Sequence, residues 1–241
     1  MLPELLGRKV GMTQLFMDDG HVVPVTVLEA GPCYITQIKT TKADGYNAVQ
    51  MGFDDTKKKK NMSKALFTHF DKAKVKPCRY LKEIRLTADE AGEKVIAELK
   101  LGGQVKVDIF ENTWKVNVLG VTKGRGFTGM VKRWNKHRGP ETHGSNNVRE
   151  IGATGSDTRL THIRPGKTMP GHYGADNRTI QNMEVVKVDK ERNLLFIKGA
   201  VPGFNSGYVI IKKTNLVKPA PRLDSKKKKG KASLHSRGSK R

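Results

Sequence analysis

Apolar positions in the first 55 residues recur with a partial period of two. Val25 and Val27, then Ile35 and Ile38, alternate with other side chains, as antiparallel strands with one covered face require. Turn signals punctuate the runs. Residues 13–16 and 21–29 flank Asp19-Gly20, and residues 33–39 and 46–53 flank Asp44-Gly45, so two hairpins are predicted. Residues 56–99 break the pattern. The lysine run 57–60 is a solvated charge cluster, and Leu66, Phe70 and Ala73 fall near helical spacing in a segment that Pro77 ends. A polar turn at 88–92 and a short element at 95–101 follow. Alternation returns in 104–110, through Val105, Val107 and Ile109, and in 114–121, through Trp114, Val116 and Val118. Residues 183–188 and 194–198 predict a hairpin over 189–193, and 208–213 a last strand.

These stretches predict a mainly β fold. A small closed antiparallel β-barrel assembled from residues 1–55, 100–119 and 178–216 fits best, because closure removes exposed strand edges. Residues 56–99 form a small α-containing insertion, residues 120–177 a long irregular extension, and residues 217–241 a basic tail too poor in apolar residues to fold alone.

The extension turns the reading toward function. From Val118 to Gly174 run eleven glycines of the chain's 25, interleaved with Lys123, Arg125, Lys132, Arg133, Lys136, Arg138, Arg149, Arg159, Arg164 and Lys167. Large apolar side chains are sparse there, so the segment takes its shape from what it lies against. Glycine permits close backbone approach, and cations every few residues suit a dense array of phosphates. The whole chain agrees, with 46 Lys and Arg against 23 Asp and Glu, a net charge of +23 and a pI near 10.1. That balance points to a polyanionic partner, and the lack of hydrophobic periodicity in the basic segments argues against a membrane surface. RNA is preferred over DNA, since a long irregular arm suits a folded multi-helix polyanion and no helix-turn-helix or zinc finger offers major-groove reading. Trp134, in a cationic setting, reads equally as an anchor in a partner or a cap on the barrel core, and Phe127 likewise.

Competing chemistry fails on spacing. Gly124-Arg125-Gly126-Phe127-Thr128-Gly129 is a formal GxGxxG. Its sequel gives at most two helical turns before Gly139-Pro140, and no βαβ unit follows. Gly166-Lys167-Thr168 resembles the end of a phosphate loop, but Pro165 and Pro170 forbid the helix that would follow. His137, His143, His162 and His172 match no ligand spacing. No catalytic residue, metal site, cofactor or small-molecule substrate is expected. Cys33 and Cys78 lack a CxxC and read as small core residues of a reducing compartment. Glu4, Arg8 and Lys9 interrupt any signal-peptide apolar run, and no stretch reaches membrane-span length, so a cytoplasmic protein is expected.

The chain resembles the universal L-three family of large-subunit ribosomal proteins in its bacterial form. The likeness runs through GRKVGMTQLF (7–16), VTVLEAGPCYITQIKT (25–40), DGYNAVQMGF (44–53), VTKGRGFTGMVKRW (121–134), HGS (143–145), MPGHYG (169–174) and RTIQNMEVVKVDKERNLLFIKGAVPG (178–203). The resemblance implies a translation-protein-type barrel whose extension threads into large-subunit rRNA. It also implies a non-enzymatic role: binding 23S-type rRNA early in assembly, beside neighbouring large-subunit proteins, and supporting the region near the peptidyl transferase centre. General RNA binding or RNA chaperoning is the alternative. Pattern and resemblance together mark as rRNA contacts Lys123, Arg125, Phe127, Lys132, Arg133, Trp134, Lys136, Arg138, His143, Arg149, Arg159, Arg164, Lys167, His172 and Arg178. The resemblance puts Ile151, Gly152, Ala153, Thr154, Gly155 and Ser156 at the extension tip, nearest the peptidyl transferase centre. Many bacterial members carry a glutamine in this loop that a methyltransferase modifies. This chain has none between Ile151 and His162.

Overall fold

In the computed structural model, which describes residues 2–56, 62–86, 95–155 and 162–216, six antiparallel strands close into a barrel. They are β1 (Glu4–Phe16), β2 (Val22–Ala30), β7 (Lys115–Val121), β10 (Asn177–Asp189), β11 (Leu194–Lys198) and β12 (Tyr208–Lys213), in the order β1-β12-β7-β10-β11-β2, with β2 returning to β1. The alternation of Val116 and Val118 becomes an inward face. Both are fully buried with Leu5, Leu28, Leu195, Ile197 and Ile211. The hairpins over 17–20 and 189–193 form as predicted, with Gly20 at φ 77°.

Residues 33–55 depart from the expected barrel. β3 (Cys33–Lys39) and β4 (Ala48–Asp55) pair with each other, then with β5 (Cys78–Arg85) and the two-residue β6 (Gln104–Val105), in a second sheet of order β5-β4-β3-β6. The exit from the barrel lies at Gly31, whose φ of 86° favours glycine and where a Cβ would stand 3.0 Å from the Val105 carbonyl oxygen. Residues 78–85 are therefore no separate insertion; they register with β4 from Ala48↔Arg85 to Asp55↔Cys78. The turn at Asp44-Gly45 is a helical one, α1 (Thr41–Asp44), capped by Gly45 at φ 80°.

The helix expected from Leu66, Phe70 and Ala73 is α2 (Lys64–Lys72). The Ser63 hydroxyl accepts from the Leu66 N–H at its start, and Phe70 and Ala73 are buried. The predicted strand at 104–110 is corrected. After β6 the chain winds into a 3-10 turn, Val107–Phe110, because that i,i+3 spacing sends both end residues fully into the core. The lysine run 57–60, the turn at 88–92 and the tail 217–241 lie outside the described residues.

Barrel and second sheet share one continuous hydrophobic core. Polar clamps reinforce the seam. The Tyr208 ring stacks on Tyr80 at 4.5 Å, and its hydroxyl donates to Asp54 at 2.7 Å. Arg8, which holds its barrel neighbour Glu29 at 2.7 Å, also reaches Asp54 across the seam at 4.0 Å. Cys33, within this core, and Cys78 are both buried free thiols, as expected.

Candidate nucleic-acid interface

The extension grows from the barrel as a continuation of its own ladder. β7 and β10 pair from Lys115↔Glu184 to Val121↔Asn177. Beyond that register the two arms stay bonded: the Thr122 N–H donates to the Asp176 carbonyl at 2.9 Å, and Arg125 N–H to the Tyr173 carbonyl at 2.9 Å. The Tyr173 N–H returns a bond to Gly126 at 3.0 Å. The short strands β8 (Phe127–Thr128) and β9 (Gly171–His172) complete this stem. Gly174, at φ 79°, lies where a Cβ would collide with the Lys123 carbonyl, so the arms close up only around glycine.

A five-residue helix, α3 (Met130–Trp134), caps the stem and buries Met130. Its last turn clasps the returning arm. The Arg133 guanidinium and the Trp134 indole N–H both donate to the Met169 carbonyl, each at 2.9 Å. Arg133 also lies over the Trp134 ring at 5.2 Å. Neither alternative held open for Trp134 describes this arrangement alone. The residue is a clasp within the extension, and 46% of it stays exposed. Phe127 caps no core; it is 80% exposed.

Past the clasp the chain is irregular, braced by the Gly139 N–H on the Val148 carbonyl at 2.9 Å. Lys123, Arg125, Lys132, Lys136, Arg138, His143, Arg149, Arg164, Lys167, His172 and Arg178 are exposed, and Arg133 is half-buried. Among the described residues, Arg138 with Glu141 is the one ion pair inside the extension. Ile151, Gly152, Ala153, Thr154 and Gly155 are exposed at its far end, whereas Ser156 and Arg159 lie outside the described residues.

Two arrangements near the stem escaped the sequence reading. Tyr173 sits beneath the Arg125 guanidinium at 5.5 Å, and its place beside His172 in GHYG was the available signal. Lys9 is buried and donates its amine to the carbonyls of Val201, at 2.8 Å, and Gly203, at 3.4 Å. Burial first, then the charge of Lys123, pulls that amine below its usual pKa. Nothing in the pattern marks a lysine as buried.

The arrangement offers exposed cations and aromatic faces on an extended stem, a chemistry for phosphates and unstacked bases. The GxGxxG segment enters an antiparallel two-residue strand and a single helical turn, not a βαβ unit. Among the described residues, no cluster of His, Cys, Asp or Glu is placed to hold a metal ion, and no helix is long and apolar enough to cross a membrane.

Comparison with known proteins gives a consistent result. The model of the family described as Ribosomal protein L3 matches residues 34–194. The large ribosomal subunit protein uL3 of Carboxydothermus hydrogenoformans is 50% identical over 208 residues, 86% of this chain and 95% of its own length. Those of Pelotomaculum thermopropionicum and Thermosipho africanus are 49% and 47% identical over 208 residues, again 86% of this chain and 95% and 96% of theirs.

Proposed function

Because the chain belongs to the ribosomal protein L3 family, we propose that it is a structural constituent of the large ribosomal subunit that binds 23S-type rRNA directly through its extension. It acts early in subunit assembly in the cytoplasm, beside neighbouring large-subunit proteins. Its extension tip, 151–156, supports the region near the peptidyl transferase centre. It is not an enzyme; the family's proteins are structural parts of the ribosome.

The observation that carries this reading is the stem itself. A barrel ladder continues outward as a braced two-stranded arm, and the cations it displays are, with Arg138 set aside, without acidic partners among the described residues. Such charges release counterions when phosphates replace water around them. Lys132 on α3, Arg125 over Tyr173, and the open faces of Trp134 and Phe127 combine charge with stacking surfaces.

The test is competition binding of the full chain at 200 mM salt between large-subunit rRNA and small-subunit rRNA of similar length. Preference for the large-subunit RNA by about 10³ or more is expected, the margin by which specific exceeds nonspecific nucleic-acid binding. Equal affinity would replace this reading with general RNA chaperoning.

A further inference from the structure

Residues 10–38 contain no lysine or arginine, in a chain where 46 of 241 residues are one or the other. At the chain's own frequency, about five or six would fall there. The acids in this stretch are Asp18, Asp19 and Glu29, and Glu29 is neutralised by Arg8. Asp18 and Asp19 stand exposed at the hairpin tip.

The structure gives this gap in charge a shape. β12 pairs with β1 only over Glu4–Arg8, and β11 pairs with β2 only over Val25–Glu29. Lys9 still bonds to Ser206 and Gly207, and the Pro24 carbonyl accepts from the Gly199 N–H. Past Lys9 on β1 and before Pro24 on β2 the strands are bonded, among the described residues, to each other alone, so their hairpin projects past the barrel rim. Large apolar side chains stand exposed on it, with Gln14 among them. Phe16 is 73% exposed, Met12 53% and Val22 50%. The register Met12↔Thr26, Gln14↔Pro24 and Phe16↔Val22 gathers Met12, Phe16, Val22 and Pro24 on one face. Phe204, also exposed, sits on the loop whose Ser206 and Gly207 bond to the Lys9 backbone at the hairpin's foot.

We propose that this hairpin is a docking surface for a second protein of the large subunit, one that presents apolar side chains ringed by lysine or arginine. The inference rests on the proposed function. Contiguous exposed apolar side chains mark a contact surface rather than one left to water. Phosphates are the wrong occupant, because Asp18 and Asp19 repel them and no cation of the stretch offsets that repulsion. A second copy is also disfavoured, since two acidic tips would face each other. A protein held by the same polyanion carries excess positive charge for the reason this chain does, and its basic rim complements the tip.

The test places a photoreactive benzoylphenylalanine at Phe16 of the full chain, purifies large subunits on a gradient, irradiates them and treats them with ribonuclease. A ribonuclease-resistant cross-link to one other protein, through a peptide rich in Lys or Arg, is expected. With the chain present in the large-subunit peak, a cross-link to RNA, to a second copy, or to nothing overturns this inference alone. Absence of the chain from that peak overturns the proposed function and this inference together. The double variant Phe16→Asp, Val22→Asp should leave the salt dependence of rRNA binding unchanged. It should lower retention of the cross-linked neighbour in salt-washed subunits by about tenfold; full retention would overturn the proposal.

Discussion

Replacing Lys132, Lys136, Arg164 and Lys167 together by glutamine removes half of the exposed cations without an ion-pair partner that the described residues of the extension and its root display, Arg133 aside. Eight exposed cations of the extension and its root have no ion-pair partner among the described residues: Lys123, Arg125, Lys132, Lys136, Arg149, Arg164, Lys167 and Arg178. Arg138 is excluded because Glu141 holds it, and Arg133 because its guanidinium is tied to the Met169 carbonyl. At about 0.7–0.9 per neutralised phosphate, eight contacts give a slope of log affinity on log salt of about −6 to −7, and four give about −3. Raising salt from 50 to 200 mM then weakens native binding by about four thousand-fold at slope −6, but variant binding by only about sixty-fold at slope −3. Filter binding of the full chain to large-subunit rRNA across that range measures both slopes. Arg159 and the tail contribute equally to both proteins, so the difference of about 3 isolates the four side chains. A difference below about 1 would refute the assignment of these residues to phosphates. Barrel melting should not move, since all four side chains are exposed and lie outside the core.

Three further perturbations probe other parts of the account. Trp134→Ala removes a hydrogen bond worth about 1 kcal/mol and a stacking face worth about 1–3 kcal/mol per base, so rRNA affinity should fall by one to two orders of magnitude with the barrel's Tm nearly unchanged; a large Tm shift would place the residue in the core. Gly174→Ala forces a side chain into a left-handed conformation against the Lys123 carbonyl, at a cost of about 1–3 kcal/mol, and should speed proteolysis of the extension; native-like protection would show that the arms do not need this close approach. Burial pushes the Cys33 and Cys78 thiols up to about 12, from an ordinary value of 9.0. The unfolded chain ionises first, so their contribution to stability is full below pH 9 and is lost as pH rises toward 12. Rapid thiol labelling of the native protein at pH 8 would contradict that burial.

The elements of the barrel were legible because one-sided burial imposes a period of two, as at Val116 and Val118, and because Asp19-Gly20 marks a turn. Pairing partners were not. Residues 33–55 carry the same pattern as barrel strands, and only the register of β4 with β5 shows that they belong to a second sheet. In 104–110, Val105, Val107 and Ile109 mimic a strand while Val107 and Phe110 also satisfy a 3-10 turn; burial at both ends decided for the turn. In the extension, the cations could be read off composition, since exposure is the default for charge. The clasp could not, because Trp134 and Arg133 meet a backbone carbonyl 35 and 36 residues away that no local pattern reveals. Lys9 was missed for the opposite reason, a charge that the fold buries.

The most direct test of the central claim is sedimentation of the tagged full chain with ribosomal particles after a high-salt wash. Bare electrostatic attachment weakens by about 10³–10⁵ between 50 and 200 mM salt and is stripped under such conditions. Retention of the chain in the large-subunit peak is the predicted result. Its recovery at the top of the gradient would contradict a built-in place in the subunit and leave only a loosely bound basic protein.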